Sequence, residues 1–228
     1  MAGTLGKTFD NFPAGPARYG YFYDYHSDED ITEGVFTAIS SGTNSVLDTG
    51  PGGLMRISGA ATTDDSGGEW QVDSASIVLP VSKTVRMLSR HIISDATQSD
   101  FRVGLATLDT SIIASAPTNA VMVSKTDGAA TLDFIVIVGG VTTYSQASIA
   151  TIADATAFEL AIEVVVSATS GTADSVRVWF NGTSVVNARA VSVPLATSLM
   201  SGVIAFQSGD NVGTKTCDTD YFGVEVGR

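Results

Sequence analysis

From Phe158 to Val166 the apolar residues Phe158, Leu160, Ile162, Val164 and Val166 fall at every second position, with Glu159, Ala161 and Glu163 between them. A period of two puts the apolar set on one face of a half-buried β-strand. Ser175-Val-Arg-Val-Trp-Phe-Asn-Gly182 repeats the pattern. Gly139-Gly140 and Asn181-Gly182 offer the positive φ angles that two-residue hairpin loops need, and Asp127-Gly128 marks a third turn. Further strands are predicted over Leu54–Ser58, Glu69–Leu79, Val85–Ile93, Phe101–Leu108 and Ala120–Ser124, with Gly-rich or Asp-rich turns between many of them. Ile31, Val35, Phe36 and Ile39 have roughly helical spacing behind an acidic start, and there a short helix and a strand both remain open. Short strands with scarcely any helical pattern predict an all-β chain, an antiparallel β-sandwich.

The first twenty-five residues depart from this pattern. Pro13 and Pro16 interrupt Phe9-Asp-Asn-Phe-Pro-Ala-Gly-Pro16, and Tyr19-Gly-Tyr-Phe-Tyr-Asp-Tyr25 follows. Residues 1–25 therefore read as an N-terminal strand and aromatic arm, and 26–228 as a single sandwich domain. The rings of Phe9, Phe12, Tyr19, Tyr21, Phe22, Tyr23 and Tyr25 either cap one end of the sandwich or dock a partner; they are the candidate interface residues.

Composition narrows the picture. A β-domain of 228 residues hides enough surface to need no staples, and the single cysteine, Cys217, leaves no internal disulfide. Met1-Ala-Gly-Thr-Leu-Gly-Lys7 has no apolar run like a signal peptide, and no later segment is apolar for long enough to span a bilayer, so the expectation is a soluble chain made in the cytoplasm, with no membrane partner. A net charge of −12 with twelve Lys and Arg lacks the basic cluster that nucleic acid demands.

Candidate chemistry is sparse. Glu159 and Glu163 share a strand face, as the paired carboxylates of glycoside hydrolases do, but Ala161 stands between them where laminarinase-type hydrolases carry an aspartate. Alternation alone makes both glutamates solvent-facing, opposite the apolar stripe. The acidic loops Asp28-Glu-Asp30, Asp64-Asp65 and Asp218-Thr-Asp220 have the oxygen ligands calcium takes but match no EF-hand loop. His26 and His91 have no partner at ligand spacing, and no nucleophile elbow, phosphate loop or dinucleotide fingerprint is present. Asn181-Gly182-Thr183 fits the glycosylation sequon, yet serves better as a hairpin turn. No catalytic, cofactor or metal residue is assigned, and neither a cofactor nor enzyme activity is expected.

Taken in order, Gly52-Gly-Leu-Met-Arg-Ile-Ser-Gly59 with Ala60-Ala-Thr-Thr-Asp-Asp65, Phe101-Arg-Val-Gly-Leu-Ala-Thr-Leu-Asp-Thr110, Val121-Met-Val-Ser-Lys-Thr-Asp-Gly128, Val176-Arg-Val-Trp-Phe-Asn-Gly182 and Thr219-Asp-Tyr-Phe-Gly-Val-Glu-Val226 resemble the concanavalin A-like (laminin-G-like) jelly-roll domains among virion structural proteins of tailed bacteriophages. The resemblance implies two curved antiparallel sheets, with an N-terminal strand near Phe9–Phe12 beside the last strand. It also implies a non-enzymatic capsid decoration (cement) protein on the virion surface, bound to the major capsid protein and homo-oligomeric, a trimer by family resemblance. The alternative is a carbohydrate-binding module of a tail, fibre or cell-surface protein, with glycan as partner; a glycoside hydrolase stands third. Sugar-binding modules present exposed aromatic platforms, and the only tryptophans are Trp70 and Trp179, one of them in a strand where it can belong to the core.

Overall fold

The computed structural model describes residues 18–24, 34–47, 53–72, 77–109 and 112–227, the first of these segments by its backbone. Among the described residues fifteen strands are formed: β1 (Arg18–Asp24), β2 (Gly34–Ile39), β3 (Thr43–Leu47), β4 (Leu54–Ser58), β5 (Gly67–Val72), β6 (Thr84–Ile93), β7 (Ser99–Ala106), β8 (Ala120–Lys125), β9 (Thr131–Val138), β10 (Val141–Thr151), β11 (Ala157–Val166), β12 (Thr172–Phe180), β13 (Thr183–Ser192), β14 (Ser201–Ser208) and β15 (Thr216–Gly227). No helix occurs among the described residues. The first sheet runs β13-β12-β11-β6-β15-β4-β3, with β1 also on β15; the second runs β10-β9-β8-β7-β14-β5-β2. Every pairing between these strands is antiparallel. The architecture is the antiparallel β-sandwich that the alternating pattern predicts, in the jelly-roll form that the resemblance implies.

The apolar stripe of β11 faces inward as period two requires: Phe158, Leu160, Ile162, Val164 and Val166 are all buried in the core. Trp70 from the opposite sheet is fully buried and meets Phe222 edge-on, 6.2 Å between ring centres. The predicted turns carry the expected backbone, with φ of 59° and 79° at Gly139 and Gly140, 48° and 76° at Asn181 and Gly182, and 78° at Gly128.

Several boundaries move. Gly34–Ile39 is a strand on β5, which settles the helix-or-strand choice for that part, while 28–33 lie outside the described residues. The long strand expected over Glu69–Leu79 stops at Val72, and Ile77 rejoins the sandwich by a bridge to Met200. A strand does lie beside the last one, but it is Arg18–Asp24; Phe9, Phe12 and Tyr25 lie outside the described residues. Tyr19, Tyr21, Phe22 and Tyr23 are thus on a strand of the first sheet, paired from Arg18↔Gly227 to Asp24↔Tyr221, and the sandwich begins before residue 26. The backbone of the aromatic segment hydrogen-bonds as a β-ladder because neither proline falls within it.

The outer faces of the two sheets differ, and the difference locates the site. On the second sheet, Ala106, Ala120, Met122, Ile137 and Val203 form a small second core with Ile112 of the β7–β8 connection. Beside them Glu69 is fully buried, with its carboxylate accepting from the Ile113 N–H and from Gln71 Nε2, both at 3.3 Å. Arg102 donates to the Ile112 carbonyl. That connection therefore closes much of the second sheet's outer face, whereas the outer face of the first sheet carries rows of charged and aromatic side chains.

Candidate functional site

Strand register assembles the first sheet's outer face from residues distant in sequence. Tyr221 of β15, Arg90 of β6 and Glu159 of β11 lie in one row across three strands. A second row holds Gly223, Leu88, Ala161 and Trp179 of β12. The third holds Glu225, Arg86, Glu163, Arg177 and Asn187 of β13. Successive rows are two residues apart along each strand, or about 7 Å. The middle row is glycine, leucine and alanine ending at a tryptophan, a low apolar floor between two polar banks; Gly223, Leu88 and Ala161 are buried, with Leu88 4% and Ala161 8% exposed, and the half-buried Trp179 supplies the row's exposed apolar surface.

The third row is tightly paired. Glu163 accepts from Arg86 Nε at 2.9 Å and lies 3.5 Å from Arg177 Nη1, with its side chain only 8% exposed. This corrects the expectation that Glu163 faces solvent: alternation points it away from the core, and two arginines from neighbouring strands then enclose it. In the first row, Arg90 is ion-paired with Asp220. Burial, then the Glu159 carboxylate beside it, hold the Tyr221 phenol well above its ordinary pKa. Toward the β4 side, Arg56 binds Asp218 through two bonds of 2.6 and 2.7 Å, a bidentate fork that keeps the guanidinium charged. Trp179 is half-buried on this face.

The other candidate residues fall elsewhere. His91 is fully buried in the core, its Nδ1 3.0 Å from Thr219 Oγ1 and its ring 4.9 Å from that of Phe101; burial pushes its pKa down to about 3. It is a neutral core histidine rather than a surface residue or a base. Asp218 and Asp220 are taken by arginines, and the Asp65 N–H donates to Asp64 Oδ1 within its turn. Among the described residues no three His, Cys, Asp or Glu are grouped to hold a metal ion. His26 and Asp28-Glu-Asp30 lie outside the described residues. Asn181 Oδ1 accepts the Glu159 N–H at 2.8 Å, which ties the β12–β13 turn to β11 and gives this asparagine a structural task.

Arg86, Arg90, Arg177 and Tyr221 were not candidates from the sequence. The signal available was local: Arg86-Met-Leu-Ser-Arg90 and Arg177-Val-Trp179 both put polar or aromatic residues at alternate positions on an outer face. What brings them together is the order β12-β11-β6-β15, which joins strands from widely separated parts of the chain.

No protein-family model matches the chain, and no curated protein matches it in sequence. Solved structures share its fold. An endo-β-1,4-glucuronan lyase from the fungus Trichoderma reesei superposes with a TM-score of 0.63 at 11% identity, covering 91% of this chain and 94% of the lyase. An endo-1,3-β-glucanase from Streptomyces sioyaensis gives 0.62 at 10% identity, covering 94% and 99%. The lectin UEA-II, in complex with galactose, gives 0.58 at 12% identity, covering 92% and 99%. These neighbours establish the concanavalin A-like jelly roll. They also correct the expectation of a non-enzymatic chain: the fold is shared with a lyase and a glucanase as well as with a lectin, so a missing sequence motif does not exclude catalysis.

Proposed function

We propose that this protein engages a polysaccharide across the outer face of the first sheet, the sugar chain stacking on Trp179 at the end of the buried Gly223–Leu88–Ala161 floor, between the two polar banks. The observation that carries this reading is the half-buried Trp179 set between two polar banks. Pyranose rings are amphipathic discs, with C–H groups on their faces and hydroxyls around their rims. A half-buried indole beside small apolar residues suits the faces, and the Tyr221–Arg90–Glu159 and Arg86–Glu163–Arg177 rows offer fixed donors and acceptors to the rims. Ala161, where an aspartate would complete the hydrolase-like triplet, fits as part of the floor.

The fold comparison supports this reading over decoration of a capsid, since the named neighbours include a lyase, a glucanase and a galactose-bound lectin. The same face would host any turnover, so the test reads both outcomes. The full chain is screened against soluble polysaccharides by affinity electrophoresis, and each mixture is then analysed for shortened products. Binding that Trp179→Ala abolishes while melting stays close to wild type supports the proposal. Binding that is indifferent to Trp179, or no binding to any glycan, removes it.

A further inference from the structure

We infer that the polysaccharide is uncharged, a neutral hexose polymer rather than a uronate chain. The inference rests on the glycan reading above and adds the substrate class. The fold alone cannot decide between the two, because neighbours named for a glucuronan lyase and for a glucanase superpose equally well.

The charges on the face decide it. Arg86 and Arg177 share Glu163, Arg90 holds Asp220, and Arg56 holds Asp218. Glu159 and Glu225 occupy the same face and add negative charge. Two further arginines among the described residues have registers on this face, Arg189 opposite Ser175 on edge strand β13 and Arg18 opposite Gly227 on β1, both in the row beyond the third and away from the floor. A uronate polymer carries a carboxylate on every ring and needs arginines whose charge is not already matched. To supply one from the third row, Arg86 would have to leave a glutamate that is 8% exposed, a strongly unfavourable step for a buried pair, while Arg177, 43% exposed, could turn away at little cost, so the third row offers a polyanion one arginine at most. The net charge of −12 opposes the approach of a polyanion as well.

A neutral chain faces no such conflict. An arginine–carboxylate pair presents unused N–H donors next to unused oxygen acceptors, which is what a vicinal diol can use with both hydroxyls acting as donor and acceptor. The pairs stay intact on binding and remain pre-organised by their partner strands.

The test measures the affinity of the full chain for a mixed-linkage β-glucan, a β-1,3-glucan, alginate and polyglucuronate, each at low and high salt. The inference predicts binding to at least one neutral glucan with little salt dependence, and affinities for both uronans at least about tenfold weaker. Glu163→Gln, which removes the carboxylate that Arg86 and Arg177 share, should raise uronan affinity relative to wild type. Preferred, salt-sensitive binding of a uronan by the wild type would overturn the inference while leaving the glycan reading standing. Binding of none of the four would count against both. A folded Glu163→Gln chain with no gain for uronans would refute the role given to charge matching.

Discussion

Removing the Glu163 carboxylate tests the charge network most sharply, and its cost can be worked from the two bonds it makes. The Arg86 partner is 15% exposed and 2.9 Å away; the Arg177 partner is 43% exposed and 3.5 Å away. Breaking a buried ion pair by deleting one member costs about 3–5 kcal/mol, because the other charge is left without compensation. An exposed pair contributes at most about 1 kcal/mol. Glu225 stands opposite Arg86 in the register and keeps a second carboxylate near it, which argues for the low end. Glu163→Ala should therefore destabilise by about 3 kcal/mol, or roughly 6–12 °C in Tm for a chain of this size. Urea and thermal melts of Glu163→Ala, Arg86→Met and the double variant give the coupling directly. The double variant should be less destabilised than the sum of the singles by at least about 1 kcal/mol. A Glu163→Ala chain within about 0.5 kcal/mol of wild type would show that the network is a loose surface feature and that the polar bank is not pre-organised.

Three further perturbations probe the rest of the molecule. Gly182 adopts a φ of 76° with open space around its Cβ position, so Gly182→Val should cost about 1 kcal/mol or more through backbone strain alone, read as a lower melting midpoint; an unchanged midpoint would mean the hairpin relaxes. Lys125 is 1% exposed, and its ammonium donates to the Ser99, Thr97 and Thr126 carbonyls; burial lowers its pKa, while Asp100, Asp127 and Asp95 counter that. Lys125→Met leaves these carbonyls without their donor and should destabilise by about 2–3 kcal/mol in urea melts, with no loss the contrary result. Burial raises Glu69 from its ordinary 4.5 to about 7, so the folded state holds this proton more tightly than the unfolded chain does. Its contribution is intact below about 4.5, declines as pH rises towards 7 and is then flat, a loss of about 2 kcal/mol after allowance for screening; Glu69→Gln should flatten that part of the stability–pH profile, and an unaltered profile would contradict it.

The fold was legible because its determinants are local. Alternation fixes which face of β11 or β12 turns inward, and Asn181-Gly182 and Gly139-Gly140 fix two hairpins, all within short windows of sequence. The site was much less so. Glu159, Ala161 and Glu163 could be placed on one outer face, but their meaning depends on neighbours supplied by β6, β12 and β15, and no short-range pattern specifies that β6 lies between β11 and β15. Glu163 shows the consequence: the residue expected at the surface is enclosed, because Arg86 and Arg177 flank it from two strands. The aromatic segment around Tyr21 shows a converse limit, since aromatic richness beside prolines suggested an arm while the backbone of Arg18–Asp24 completes a ladder with β15.

The two tryptophans provide the most direct test of the glycan site, because one is sealed in the core and the other lies on the proposed face. Their indole N–H resonances can be followed by two-dimensional NMR while a neutral β-glucan oligosaccharide is titrated into the full chain. The account predicts that the Trp179 signal shifts progressively to saturation and the Trp70 signal stays in place. A stationary Trp179 signal during demonstrable binding, or perturbations confined to the β7–β8 connection over the second sheet, would contradict it.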